Sequence, residues 1–270
     1  MQKAVFFCLI TFSIIFFGTK VFAQNKAEVI DDLKTRAGSL ADEKKYNEAI
    51  TVFSKAIKLD PDSADLFLHR GEAYIENGDY KLALADLNKA VELKPKFLLN
   101  VYIMRSYFYA RVEDFDNLIA DSDKAIKIDP TDSMAYNNRG YGYLMKDNLT
   151  LAESDIEKAL ELNSDNSLAY NNRALLNIKR GLSELALKDV EKTIELNRSL
   201  PEAYKNKALI YIERKDYNSA LDELNKAIEL NSKLTEAYLL RAKTFEQLGQ
   251  DAKSELDNQK AAELKKSLKY

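Results

Sequence analysis

The chain has 270 residues, 46% of them hydrophobic and 31% charged, a balance that suits a soluble globular or solenoid protein with a substantial buried core. Its 40 basic and 43 acidic residues are interspersed and leave a net charge of −3. That excludes the basic stripe a nucleic-acid surface needs, and it gives an anionic membrane nothing to attract.

The first 23 residues follow a rule of their own. Lys3 supplies a positive start, and Ala4 to Gly18 is an uncharged, mostly apolar run of 15 residues. Val21-Phe22-Ala23 then precedes Gln24 as a signal-peptidase site would. A membrane-spanning helix needs about 20 apolar residues, so 1–23 reads as a cleaved secretory signal, and no integral span is expected in the mature chain. Cys8 lies inside the apolar run rather than at its end, which argues against a lipid anchor. Cleavage would remove this sole cysteine, leaving a mature chain free of thiols and disulfides. The expected location is the periplasm or cell envelope.

After a short lead over 24–29, one period governs the sequence. Small residues recur at Ala37, Gly71, Ser106, Gly140, Ala174, Ala208 and Ala242, with steps of 34 residues and a single step of 35. A second column, Ala56, Ala90, Ala125, Ala159, Thr193, Ala227 and Ala261, shares the same extra residue. Four residues before each member of the first column stands Leu33, Phe67, Tyr102, Tyr136, Tyr170, Tyr204 or Tyr238. Three after it comes Leu40, Tyr74, Tyr109, Tyr143, Asn177, Tyr211 or Phe245. Offsets of three, four and seven place these on one helical face. A third column, Ala49, Ala83, Leu118, Ala152, Ala186, Ala220 and Ser254, begins the apolar stripe of a second helix. Gly78, Gly181 and Gly249, or charged residues in the equivalent places, mark a tight turn between the two. Asp60-Pro61, Lys94-Pro95 and Asp129-Pro130 stop the second helix, because proline cannot continue it.

An aromatic, a small residue four later, a tyrosine three beyond, alanines in a second helix and a terminal proline together resemble the tetratricopeptide repeat. The resemblance spans seven units, over 30–63, 64–98, 99–132, 133–166, 167–200, 201–234 and 235–268. It implies an all-α, right-handed solenoid of about seven helix-turn-helix hairpins, as one domain over 30–268. Where the family usually has leucine before the small residue, this chain has Arg36, Arg70, Arg105, Arg139, Arg173, Lys207 and Arg241. These are expected to bury their methylenes and expose their charge. The alternative is a basic ridge facing a ligand.

The resemblance further implies that the first helix of each unit lines a concave groove. Directly before the basic column lie Thr35, His69, Met104, Asn138, Asn172, Asn206 and Leu240, and Asn137, Asn171 and Lys205 precede the three asparagines. An amide offers one acceptor and two donors, the complement of an extended peptide backbone. The column is similar to the asparagine ladder of O-linked N-acetylglucosamine transferases, which implies peptide contact at Asn138, Asn172 and Asn206; local or neutral roles are the alternative. Tyr107, Tyr141, Leu175 and Leu209, two residues beyond the basic column, form an apolar row that either edges this groove or packs against the next repeat.

No catalytic constellation is evident. His69 is alone and reads as a surface or half-buried polar residue, the mature chain has no cysteine, and glycine-rich phosphate loops are absent. No cofactor or metal is expected, and the carboxylates stand beside lysines and arginines as solvated helix faces do. The expectation is an adaptor, not an enzyme. Its expected partner is another protein or peptide segment, with an envelope complex as the setting; the alternative is a self-associating structural solenoid.

Overall fold

The computed structural model describes residues 26–267, so the expected signal segment lies outside the described residues. Fourteen helices and no strand occur among them: α1 (26–42), α2 (Tyr46–Leu59), α3 (Ala64–Asn77), α4 (Tyr80–Glu92), α5 (Leu98–Arg111), α6 (Phe115–Ile128), α7 (Ser133–Met145), α8 (Leu149–Leu162), α9 (Ser167–Lys179), α10 (Ser183–Leu196), α11 (Pro201–Glu213), α12 (Tyr217–Leu230), α13 (Thr235–Gln247) and α14 (Asp251–Ser267). The chain is an all-α repeat of seven hairpins. They fall into two compact units, one ending at Lys96 and holding α1–α4, the other beginning at Phe97 and holding α5–α14.

Each turn has a physical cause that repeats. Between the helices of a hairpin one residue takes positive φ: Lys44, Gly78, Glu113, Asp147, Gly181, Lys215 and Gly249. The three glycines do this without strain, whereas the four side-chain-bearing residues hold φ of 59–61° against a steric penalty. Between hairpins a second device recurs. The Oδ1 of Asp129, Asn163, Asn197 and Asn231 accepts from the backbone N–H two residues on, at 2.8–3.0 Å. This is an Asx turn that closes one helix and starts the next hairpin. Lys94 occupies that column before Pro95 with φ of 46°, and the boundary between the two units follows it. The single 35-residue step of the sequence falls in the same stretch.

The small columns are core. Ala37, Ala49, Ala56, Ala83, Ala90, Ala125, Ala152, Ala159, Ala174 and Ala208 are all fully buried, letting paired helices approach closely. Larger side chains fill the seams between hairpins. Leu144, Ala152, Ile156 and Leu176 form one such cluster in the second unit, and Ala174, Ala186, Val190 and Ile210 the next.

The basic column corrects an expectation. Its charge is not exposed but paired inside the hairpin with an acid 16 residues on. Arg70 meets Asp86 at 2.7 and 2.8 Å, Arg105 meets Asp121, Arg139 meets Asp155 at 2.7 Å twice, Arg173 meets Asp189, and Arg241 meets Asp257 at 2.8 Å twice. Lys207–Glu223 completes the set. The arginines lie over the aromatics that precede or follow them, Arg105 between Tyr102 and Tyr109, for example. A spare guanidinium nitrogen reaches back 16 residues to the previous hairpin, from Arg70 to Ser54, Arg139 to Asp123 and Arg241 to Asn225. Among the paired cations Arg173 is the most exposed at 35%, where Asn177 replaces the covering aromatic and donates to Asp189 at 3.1 Å instead. Arg36 has Val52 at that spacing and is exposed.

Candidate functional site

The predicted site residues all lie in the second unit, on the first helices of successive hairpins. The amides face the neighbouring hairpin. Asn138 Nδ2 donates to Ser106 Oγ at 2.8 Å, Asn172 Nδ2 to Asn137 Oδ1 at 2.9 Å, and Asn206 Nδ2 to the Oδ1 and backbone carbonyl of Asn171 at 2.9 and 3.2 Å. Within the doublet, Asn137 Nδ2 donates to Asn138 Oδ1 at 3.2 Å. Asn137, Asn171, Asn172 and Asn206 are buried, and Asn138 is half-buried. The column is thus a seam that zips α5, α7, α9 and α11 together. Its donors are spent on protein acceptors, leaving Asn138 the most accessible of the three.

At the end of the zipper the pattern changes. Lys205 takes the place of the doublet's first asparagine and pairs with Glu236 on α13. Asn206 Oδ1 is then left as a buried acceptor with no partner in the structure. In the earlier doublet the corresponding oxygen was served by the asparagine now replaced by lysine.

The apolar row sits differently. Tyr107 is 39% exposed, while Tyr141, Leu175 and Leu209 are half-buried. Leu175 packs against the cluster of Leu144 and Leu176, so part of it serves the seam. Tyr141 rests edge-on against Phe115 of α6 at 6.2 Å. Burial pushes the Tyr141 phenol above its ordinary range, and the charges of Glu236, Glu202 and Glu113 push it further, with Arg111 opposing. Glu202 and Glu236 stand on α11 and α13, two and three hairpins beyond α7. Charges on the first helices of later hairpins therefore act on Tyr141. Lys205 beside Glu236 lowers the glutamate's pKa against the opposing effect of burial. Two features of this surface escaped sequence reasoning. Glu202 and Glu236 occupy the second position of their helices, where acids ordinarily complement the helix dipole. Their electrostatic influence on Tyr141 arises from the stacking of hairpins, which no single-unit pattern encodes.

No helix among the described residues is long and apolar enough to cross a membrane, and no group of three or more potential metal ligands occurs among them.

Comparison with known proteins agrees with the fold. A family model described as "TPR repeat" matches residues 39–78 and 208–249, and models described as "Tetratricopeptide repeat" match 64–97, 99–132 and 135–166. The chain is 30% identical to serine/threonine-protein phosphatase 5 of Rattus norvegicus over 113 residues, which are 42% of this chain and 22% of the relative. Hsc70-interacting protein 1 of Drosophila melanogaster is 27% identical over 111 residues, 41% of this chain and 29% of that protein. The chain thus spans under a third of the length of these relatives, and the phosphatase's activity is not carried over. Among solved structures, a tetratricopeptide repeat protein from Parabacteroides merdae aligns over 89% of this chain and 98% of its own, with a TM-score of 0.63 at 20% identity.

Proposed function

The chain belongs to the tetratricopeptide repeat family, and from that membership as a protein-interaction adaptor we propose that it is exported and holds an extended segment of a partner protein on the inner surface of its second unit. The observation that carries the reading is the half-buried Tyr141 on the first helix of its hairpin, acted on by the charges of Glu202 and Glu236 from the first helices of two later hairpins, with Tyr107 of the preceding first helix exposed. One of the relatives is by name an interactor of Hsc70, a precedent for protein binding. Apolar contacts at the tyrosines and leucines would supply most of the affinity, since a net hydrogen bond contributes only about 0.5–1.5 kcal/mol and micromolar binding needs about 8. The half-buried Asn138 is the amide best placed to orient the segment.

The test avoids the zipper, whose loss would destabilise the unit. Tyr107→Ala/Glu202→Lys alters the surface and spares the core. A partner retained from envelope extract by the native protein, and lost by this variant at unchanged urea midpoint, supports the reading; equal recovery overturns it. Export is tested by N-terminal mass analysis of the protein from the native host, with Gln24 expected first.

A second reading, self-association, has its own observation. Leu151 of α8, Leu182 just before α10 and Leu185 within it are 44%, 43% and 50% exposed, large apolar side chains of the kind that interfaces cover. Light scattering that shows concentration-dependent mass, abolished by Leu151→Glu/Leu185→Glu, would favour it.

A further inference from the structure

The first unit contains a cavity of about 570 Å³ that the adaptor reading leaves unused. It opens between α1 and α3 above α2, and its size lies within the range of about 300–1,000 Å³ typical of ligand sites. The cause is missing side chains. Gly38 and Ala41 of α1 line it at the repeat positions where a later hairpin carries Tyr141 and Leu144. A Cβ built on Gly38 meets nothing within 4 Å. The hairpin of α7 has a tyrosine and a leucine at these two places, whereas this one has only small residues.

The walls are aromatic and the rim is acidic. Phe53 of α2 stacks on His69 of α3, with ring centroids 6.2 Å apart and planes 13° from parallel, and Tyr46 stands beside them. Asp31 and Asp42 line the cavity from α1, and Glu72 and Glu76 from α3. The lining includes two basic groups, and both are already engaged. Lys34 meets Asp65 at 2.6 Å, and His69 lies 3.4 Å from Asp65 and 3.5 Å from Glu72. Carboxylates therefore outnumber the cations, within a space faced by ring surfaces.

We propose that this cavity is a binding site for a cationic side chain, arginine or lysine, presented by a segment of a partner protein. A cation is attracted by the carboxylates and by the face of the half-buried Tyr46 ring. An anion would meet net repulsion, and a purely apolar group would strip water from four carboxylates and return nothing. The alkyl stem of arginine or lysine suits the apolar surfaces of Ala41, Ala73 and Phe53 while its head reaches the acids. The site belongs to the first unit and stands whether or not the second unit's inner surface binds a segment.

The test uses the full chain, isotopically labelled, and three probes: the N-acetyl methylamides of arginine, norleucine and glutamate. Arginine is expected to shift the backbone amides of Gly38, Ala41 and Ala73 with saturation at a Kd on the order of 1 mM. Norleucine and glutamate are expected to bind at least tenfold more weakly. Gly38→Phe starts its side chain from a point where a Cβ meets nothing within 4 Å, and it should abolish the arginine shifts while leaving the rest of the spectrum unchanged. Asp42→Asn/Glu76→Gln keeps the shape, removes two charges and should weaken arginine severalfold. Arginine and norleucine shifting the same amides equally, or arginine shifts that survive Gly38→Phe, would overturn the proposal.

Discussion

Arg139 is sandwiched between α7 and α8, with Asp155 holding two of its nitrogens at 2.7 Å and only 8% of that acid's side chain exposed. Removing one member of such a pair strands a buried charge, which costs about 3–5 kcal/mol, whereas replacing both by apolar groups is often near neutral. Arg139→Ala is therefore expected to lower the urea-unfolding stability by that amount, and Arg139→Leu/Asp155→Leu to recover most of it; equal losses would show that packing rather than charge dominates. His69 makes the second prediction at this scale. Hydrogen bonds to Asp65 and then Glu72 raise it from 6.5 to about 9, and the same contact lowers Asp65 from 3.8 to about 2. The histidine's contribution is complete below about pH 6.5 and fades as pH rises through about 9. The aspartate's is present above about 3.8 and fades as pH falls through about 2. With 40% and 31% of these side chains exposed, solvent screening holds the effect to about 1 kcal/mol or less. Asp31, Lys34 and Asp42 on α1, Tyr46 on α2 and Glu76 on α3 share the cavity with this imidazole. As the only histidine, it gives one ring resonance, which should titrate near 9, and His69→Gln should flatten the alkaline limb of stability against pH. The acids at spacing 16 were visible in the sequence all along. A column read alone says only that arginine recurs; the partner appears when two columns are read together, because the hairpin brings that spacing face to face.

The seams between hairpins obey a size rule. In later hairpins alanine in the third small column faces a large residue of the next first helix, as Ala152 clusters with Leu176 and Ala186 with Ile210. Between α6 and α7 the sizes are exchanged, with Leu118 in the alanine place and Gly142 in the large one. A Cβ on Gly142 would stand 2.8 Å from Leu118 Cδ2 and 2.7 Å from Ile119 Cγ1. Gly142→Leu should therefore destabilise by more than about 3 kcal/mol, beyond any gain of about 1 kcal/mol in helix propensity. Adding Leu118→Ala should restore part of the loss, a coupling of about 0.5–3 kcal/mol measurable by a double-mutant cycle. Additive losses would show that Ile119 alone sets the limit. Helices, turns and core columns were all legible at this scale, since propensity, period and punctuation agree in every unit. The amides were not. An asparagine on a first helix has the same sequence whether it turns toward a ligand or toward the neighbouring hairpin, and only the distance between hairpins decides.

Across the chain, stability is a sum over hairpins and the seams that join them. Within the first unit, α1 packs through one cluster with α2 and its neighbours, and its hairpin alone lacks the buried ion pair, since Val52 stands where the acid recurs elsewhere among the described residues. Hydrogen exchange should therefore be faster along 26–42 than along α3, and slower still along α7 and α9, which have hairpins on both sides; uniform protection would contradict the additive picture. The period announced the seven hairpins. The division into two units was harder to read, because no repeat is missing there; the boundary follows Lys94, which stands where other hairpins have the Asx turn.

A hairpin that carries its own arginine and its own acid is a portable part. Its principal cross-link lies entirely within one repeat, and the backward arm of the guanidinium settles for serine, aspartate or asparagine. A chain so built can gain or lose a whole repeat in evolution and keep each arginine with its own acid, so length is free to follow whatever the array must reach.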